Sequence, residues 1–408
     1  MNQQDASTAT VMAAIDRHNA GRDPERLAMK YAKMAQSPFA FLRGSCQHFY
    51  DTLPDAEMFV KAPLAWCCGD LHFENYGSYK GDDRQVYFDI NDYDEAALAP
   101  LTWDIVRLLT SLQCGADVLR ASPVEALAVS ASCLQAYRQA LRQGKALWVH
   151  RDTAKGLVQV LLDDLKARDR ATHLDKRTIR QGKQRRLKVD GVKALPASEA
   201  QRQAVTNFMR GFAATQENPH FFDVIDVARR VAGTGSLGLA RYVVLVEGKG
   251  SPDGNYLLDL KAAQASALSA RLLGLDIPQP LWEDQAQRVV AVQKRMQAVD
   301  HAFLHAVQLE GRPFVLKGLQ PSEDRVAIGD WGKKLDHLKE VADTMGRILA
   351  WDQLRAAGRA AAAGAEELMA YAQGEAWTLP LLEAATTMAA TVRQQWAIFA
   401  QAQRRGSP

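Results

Sequence analysis

The sequence predicts an α+β protein, helical at both ends around a small β-rich unit. Two observations carry this reading. Apolar residues recur at three- and four-residue spacing over 101–149 and 333–404, whereas glycine and β-branched residues dominate 228–261. Helical and strand patterns are segregated along the chain rather than alternating, which argues against a parallel βαβ sheet. A length of 408 residues suits two or three packed units. Division is expected into a helical part at 1–220, a β-rich part at 221–322 and C-terminal helices at 323–408. With 47% hydrophobic and 24% charged residues the chain has an ordinary globular composition, and a net charge of +3 gives no reason to expect nucleic acid or a membrane surface as partner. The N-terminal residues do not read as a secretory signal, and no run of about 18 apolar residues reads as a membrane span. The five cysteines, Cys46, Cys67, Cys68, Cys114 and Cys133, form no CxxC pair and read as packed, reduced thiols. A cytoplasmic location is the resulting expectation.

The elements follow in order. Residues 8–35 read as helical, with Asp23-Pro24-Glu25 as a helix start, a capping acid followed by proline in the first turn. Ser37-Pro38-Phe39-Ala40-Phe41-Leu42-Arg43-Gly44 breaks that pattern. Residues 64–68 and 86–90 read as short buried strands, each ending at a polar cluster, and 101–149 as helical. Ten Lys or Arg face two Asp between 166 and 188. Such a run is either a solvated face or a site for an anionic substrate. Val189-Asp190-Gly191-Val192 suggests a turn, and 197–215 another helix. The stretch 231–260 reads as strand, glycine turn, strand, loop, strand. Residues 281–309 carry a helical pattern, 314–317 a strand between Pro313 and Pro321, and 333–404 alanine-rich helices in which 360–363 is a favourable run before Gly364.

The densest chemistry lies between Gly69 and Asp104. It reads Gly69-Asp70-Leu71-His72-Phe73-Glu74-Asn75, then Asp89-Ile90-Asn91-Asp92-Tyr93-Asp94-Glu95, then Trp103-Asp104. Acids at the ends of buried strands are costly unless compensated, and a divalent cation held by Asp, Asn and phosphate oxygens is one compensator. Phosphoryl transfer uses such a set: an Asp that orients and deprotonates the attacking hydroxyl, an Asn that holds one metal, and a second Asp that bridges metal to phosphates. Asp70 and Asn75 stand five residues apart. Taken singly, each acid could equally cap a helix or bind loop amides. The ordered set Asp70, Asn75, Asp92, Asp104 favours the catalytic reading.

The second motif is Gly233-Thr234-Gly235-Ser236-Leu237-Gly238, a G-x-G-x-x-G sequence shared with dinucleotide-binding folds. Those folds need a helix after the glycines. Here the valine- and tyrosine-rich residues 239–246 read as a strand, and strand, glycine turn, strand is the arrangement that covers phosphates in kinases. A following strand ends Leu257-Leu258-Asp259-Leu260-Lys261. A lysine there needs an anion, and phosphate would serve. Lys317 ends another apolar strand and is the reserve candidate. Glu283 and Asp284, at the start of the 281–309 helix, are the expected carboxylate partners of the lysine.

These residues resemble those of the bacterial family catalogued as domain of unknown function 2252. The likeness runs from Ser37-Pro38-Phe39-Ala40-Phe41-Leu42-Arg43-Gly44 to Arg288-Val289-Val290 and 293–297, and thins beyond about 320. Its most specific pieces are Asn91-Asp92-Tyr93-Asp94-Glu95 and Trp103-Asp104-Ile105-Val106-Arg107-Leu108. The stretch 69–104 is also similar to the catalytic core of aminoglycoside phosphotransferases and choline kinases. That resemblance implies a two-lobed, protein kinase-like fold with ATP and Mg²⁺ as cofactors. It implies Asp70 as catalytic base, Asn75 and Asp92 as metal ligands, Asp104 as a structural acid, and Gly233, Gly235, Ser236, Gly238 and Lys261 as the nucleotide-binding set. The twelve residues from Asp92 to Asp104 fit the family interval and those from Asp89 do not. Asp89 and Asp94 are therefore secondary candidates, as are His72 within the loop and Arg43 beside Gly44. Cys68 stands where those enzymes often carry His, and Gln287 and Ala262 where acids are expected. The glycine turn follows the catalytic loop in the chain, the reverse of a kinase, and a circular permutation accounts for this. Three functions follow: an ATP-dependent phosphotransferase acting on an unidentified small-molecule or protein acceptor, a nucleotide-binding pseudokinase acting as a regulatory module, or transfer of AMP on the same scaffold.

Overall fold

Helix Thr102–Cys114 is buried at every residue, so it must be enclosed on all sides. A computed structural model, which describes residues 3–320 and 324–406, encloses it between helices Pro123–Gln143 and Thr378–Gly406. Helix Leu335–Ala356 packs along Pro123–Gln143, and Gly346 marks their close approach. A Cβ there would lie 2.5 Å from the Cys133 carbonyl oxygen. Two small antiparallel sheets border this helical body. One pairs β1 (Leu64–Cys67) with β4 (Ala97–Pro100). The other orders β2 (Tyr76–Lys80), β3 (Val86–Ile90) and β5 (Val149–His150).

The basic stretch forms helix Arg170–Asp175 and the hairpin β6 (Thr178–Gln181) and β7 (Gln184–Leu187). Beyond it lies an antiparallel six-stranded sheet in the order β12 (His305–Leu309), β13 (Arg312–Gly318), β11 (Tyr256–Ala262), β10 (Arg241–Val246), β9 (Val224–Arg230), β8 (Ala194–Pro196). The sheet thus reaches back to residue 194, upstream of the expected break at 220. Helix Glu199–Ala213 lays Val205, Met209 and Phe212 on one sheet face against Val244, Leu258, Leu260 and Leu316. Because side chains alternate along a strand, Asp259 and Lys261 turn to the opposite face. Arg241 is the register partner of Lys261, and Lys317 that of Asp259. This second face bears charges and looks toward the helical body.

The protein is therefore mixed α+β. Among the described residues no helix is long and apolar enough to cross a membrane. Several sequence expectations are corrected. The helix read over 8–35 is two, Gln3–His18 and Pro24–Met34, parted at Gly21 with φ +76°. Ser37 caps a separate helix, Pro38–Gly44, where only a break was expected. The 101–149 helix is divided by Gly115 and by Pro123, and ends in β5. Residues 231–238 are loop, the strand lying just upstream in β9. The helix expected over 281–309 runs only Gln285–Met296. Residues 305–309 alternate inward and outward as a strand, and the sheet claims them. The alanine run 360–363 is a turn, with Ala360 and Ala361 at φ +49° and +68°. There Ala363 N donates to the Leu64 carbonyl and the Trp66 indole donates to that of Arg359, so pairing with β1 overrides helix propensity. The turn at 189–192 is present, with the Asp190 carboxylate accepting from the amides of Val192, Lys193 and Ala194. Pro321 lies outside the described residues.

Candidate active site

The acidic side is built where β1 ends. Asp104, in the first turn of its buried helix, accepts from the amides of Cys68 at 2.7 Å and Gly69 at 3.0 Å. Tyr50 donates to the Gly69 carbonyl at 2.6 Å. These bonds fix the chain just before Asp70. One turn after Asp104, fully buried Arg107 donates from Nε to Asp70 Oδ1 at 3.1 Å and from Nη2 to the same oxygen and to the Leu42 carbonyl. Burial raises the Asp70 pKa above the usual carboxylate value, and the Arg107 charge opposes that rise. Asn75 ties the two acid loops together, its Nδ2 donating to the carbonyls of Asp70 at 3.3 Å and Asp92 at 3.2 Å.

The cationic side comes from the six-stranded sheet. Lys261, with 6% of its side chain exposed, pairs with Asp94 and lies 3.4 Å from Asp92. Burial disfavours its charge, but Asp92 and then Asp94 outweigh burial and raise its pKa. Asp92 is half exposed to the cleft. Desolvation works against its ionisation, yet Lys261 foremost, then Lys317 and Arg241, hold its carboxyl far below the usual range. Asp94 moves the other way, up to about 6, through burial and then the charge of Asp92. Lys317 donates to the Asn91 carbonyl at 3.1 Å, and burial lowers its pKa. Behind them Asp259 accepts two bonds from Arg241, at 2.9 and 2.5 Å, and lies 2.7 Å from Arg230.

The glycine turn meets the acidic side directly. A Cβ on Gly235 would lie 3.1 Å from the Arg43 carbonyl oxygen and 3.5 Å from Asp70 Oδ2, so only glycine gives this approach without displacing a neighbour. The turn is pinned from behind by the N-terminal helices. Arg22 donates to the carbonyls of Gly235 and Leu237, Lys30 to that of Gly235, and Arg26 to that of Leu239.

Asp70, Asn75, Asp92, Gly233, Gly235, Ser236 and Lys261 all line one cavity of about 150 Å³, together with the secondary candidates Asp94, His72, Arg43 and Lys317. His72 is buried and its pKa falls well below the usual histidine value, first through desolvation, so the ring is neutral. Arg43 pairs with Glu74 at 2.5 Å, and Arg325 with the same carboxylate at 2.9 Å. Three expected residues lie off the cavity. Gly238 packs on Arg22 and shapes the turn from behind. Asp104 holds the Asp70 loop by its amides. Asp89 points away, hydrogen-bonded to Asp352, and burial raises its pKa to about 6 against the charge of Arg355. Glu283 and Asp284 are not the partners of Lys261; Asp284 caps its helix through the Gln287 amide at 2.8 Å. Asp92 and Asp94 take that place.

Sequence reasoning missed Arg107, Arg241 and the cluster Arg22, Arg26 and Lys30. A signal existed for Arg107, the one charge besides Asp104 in an otherwise uncharged buried helix.

The family model of uncharacterized proteins conserved in bacteria, domain of unknown function 2252, matches residues 22–402, well past residue 320 where the quoted motifs give out. No curated protein and no solved structure matches the chain.

Proposed function

The chain belongs to this bacterial family, and we propose that it is an ATP-dependent phosphotransferase of permuted, kinase-like, two-lobed build. One observation carries the proposal. The glycine turn and Lys261, the latter 169 residues downstream of Asp92, line the same cavity as Asp70, Asn75 and Asp92. Helix Leu335–Ala356 packs beside β1, where a permuted chain would need the helix that feeds the catalytic loop, and this supports the permutation.

The charges suit magnesium and triphosphate. Among the described residues no three His, Cys, Asp or Glu converge on a metal position; Mg²⁺ needs only one or two protein oxygens, phosphates and water completing its shell. Asn75 and Asp92 would hold it, and Lys261 with the amides of 233–236 would hold phosphate oxygens. The space is tight. About 150 Å³ is less than the roughly 300–1,000 Å³ of small-molecule pockets, so the cleft must widen to admit a nucleotide. In this conformation Lys261 and Asp92 neutralise each other. The bound nucleotide supplies the transferable phosphoryl group. Asp70 orients an acceptor hydroxyl and takes its proton at Oδ2, while Arg107 keeps Oδ1 turned away.

A second reading, a nucleotide-binding pseudokinase, is favoured by one observation: Lys261 is paired with the metal-side acids, and the helix that would donate its partner carries Gln287. Product analysis separates the readings. Incubation with Mg²⁺ and ATP is expected to release ADP and inorganic phosphate slowly, water taking the phosphoryl group in place of the acceptor. Pyrophosphate instead would mean AMP transfer. Thermal stabilisation by Mg²⁺ and ATP without turnover would mean a pseudokinase. Neither stabilisation nor turnover removes the nucleotide from the account.

A further inference from the structure

A second cavity, of about 490 Å³, shares Ala232, Gly233 and Thr234 with the cleft. Its size lies within the range of small-molecule pockets. Its charge is one-sided. Lys33, Lys176, Arg177, Lys188 and Lys193 line it, and Arg43, Arg230 and Arg325 join them at the boundary with the cleft. Among the described residues the one acid on its wall, Asp190, has its carboxylate occupied by three backbone amides of its own turn. Arg43 and Arg325 share one carboxylate, Glu74, on the cleft side. The Lys188 ammonium bonds a neutral carbonyl, that of Asp175, at 2.5 Å. Lys33 is held below its usual pKa, first by burial and then by the charge of Arg43. Arg177 bonds the His173 carbonyl and Arg230 pairs with Asp259; the like charges of Lys33, Lys176, Lys188 and Lys193 repel across the cavity, and an anion offsets that. Apolar Leu187, Val231, Val243 and Leu319 line part of the wall and would take a carbon skeleton.

We infer that this cavity binds a small molecule bearing two or more phosphate or carboxylate groups. Resting on the phosphotransferase reading, we assign that molecule as the acceptor, entering beside the glycine turn from the side opposite the nucleotide. The basic stretch 166–188 thereby gains a role, since Lys176, Arg177 and Lys188 come from it. A cavity of this size, walled by helices and strands as well as loops, commits the site to a small molecule rather than an extended acidic peptide.

The test is equilibrium binding of citrate, a tricarboxylate rather than a triphosphate, to the full chain at low salt. Three proteins are compared: wild type, Lys176→Glu with Lys193→Glu, and Lys261→Ala. Lys176 and Lys193 are exposed, so their reversal spares the core. Wild type is expected to bind saturably, the double variant about tenfold or more weakly, and Lys261→Ala within about twofold of wild type. Reversing exposed Lys61 and Lys145 controls for net charge and is expected to change little. Absence of binding overturns the inference. So does loss in Lys261→Ala with binding kept in the double variant, since the anion would then sit in the cleft. Tighter binding of a hexaglutamate peptide than of citrate overturns the small-molecule assignment. ATP cleavage without probe binding refutes this site alone. Probe binding at this cavity in a protein that never cleaves ATP refutes the phosphotransferase reading and leaves the site.

Discussion

Asp70→Asn is expected to reduce ATP turnover by roughly 10²–10⁴, the contribution of a positioned general base, while Mg²⁺-dependent nucleotide binding stays within about threefold of wild type. Asp70 sits at the mouth of β1 with one carboxylate oxygen committed to Arg107 and the other facing the glycine turn. Asparagine keeps an acceptor for Arg107, which also holds the Leu42 carbonyl and lies 4.8 Å above the Phe49 ring. The loop therefore stays in place, and what disappears is the ability to accept a proton. Steady-state ADP release and titration of a non-hydrolysable ATP analogue measure the two quantities separately. Equal losses in both would mean that Asp70 binds rather than reacts. Unchanged turnover would remove it from the chemistry.

Asp259→Ala is expected to destabilise the protein by about 3–5 kcal/mol, the cost of breaking a buried ion cluster from one side. Asp259 is 1% exposed and serves both Arg230 and Arg241, each 12% exposed. Desolvation opposes its charge, and the two guanidinium groups, Arg230 first, more than reverse that and depress its pKa. Its removal leaves four cations, Arg230, Arg241, Lys261 and Lys317, around one short stretch of sheet. The urea midpoint of sheet unfolding, followed by hydrogen exchange in β10 and β11, reports the loss. Asp259→Asn keeps the shape without the charge and is expected to fall between the two. A midpoint shift equivalent to less than about 0.5 kcal/mol would mean that water already screens the cluster.

Much of this was legible in the residues. The period-two pattern of β10 and β11 set Lys261 apart from Leu258 and Leu260, and a lysine closing an apolar strand announced an anion. Glycine at 233 and 238 marked a turn that needs positive φ, observed at +75° and +91°. What escaped was pairing over long sequence distance. Lys261 was expected to find its carboxylate on the next helix, at Glu283 or Asp284, and found it 169 residues upstream at Asp92. No local spacing encodes that choice; it follows from which sheet face meets which loop. The alanine run 360–363 failed for a related reason, since hydrogen bonds to β1 outweigh a propensity worth a few tenths of a kcal/mol per residue. The N-terminal clamp on the glycine turn was invisible because Arg22, Arg26 and Lys30 look like an ordinary solvated helix face until the turn's carbonyls lie against them.

The glycine turn, Lys261 and the acidic strand ends line a single cleft and are expected to act on one ligand. Calorimetric titration of ATP into the full chain, with and without Mg²⁺ and repeated with Lys261→Ala, measures this most directly. The expected result is saturable binding that requires Mg²⁺ and weakens about tenfold or more without the lysine. Binding indifferent to both the metal and Lys261, or no binding at all, contradicts it.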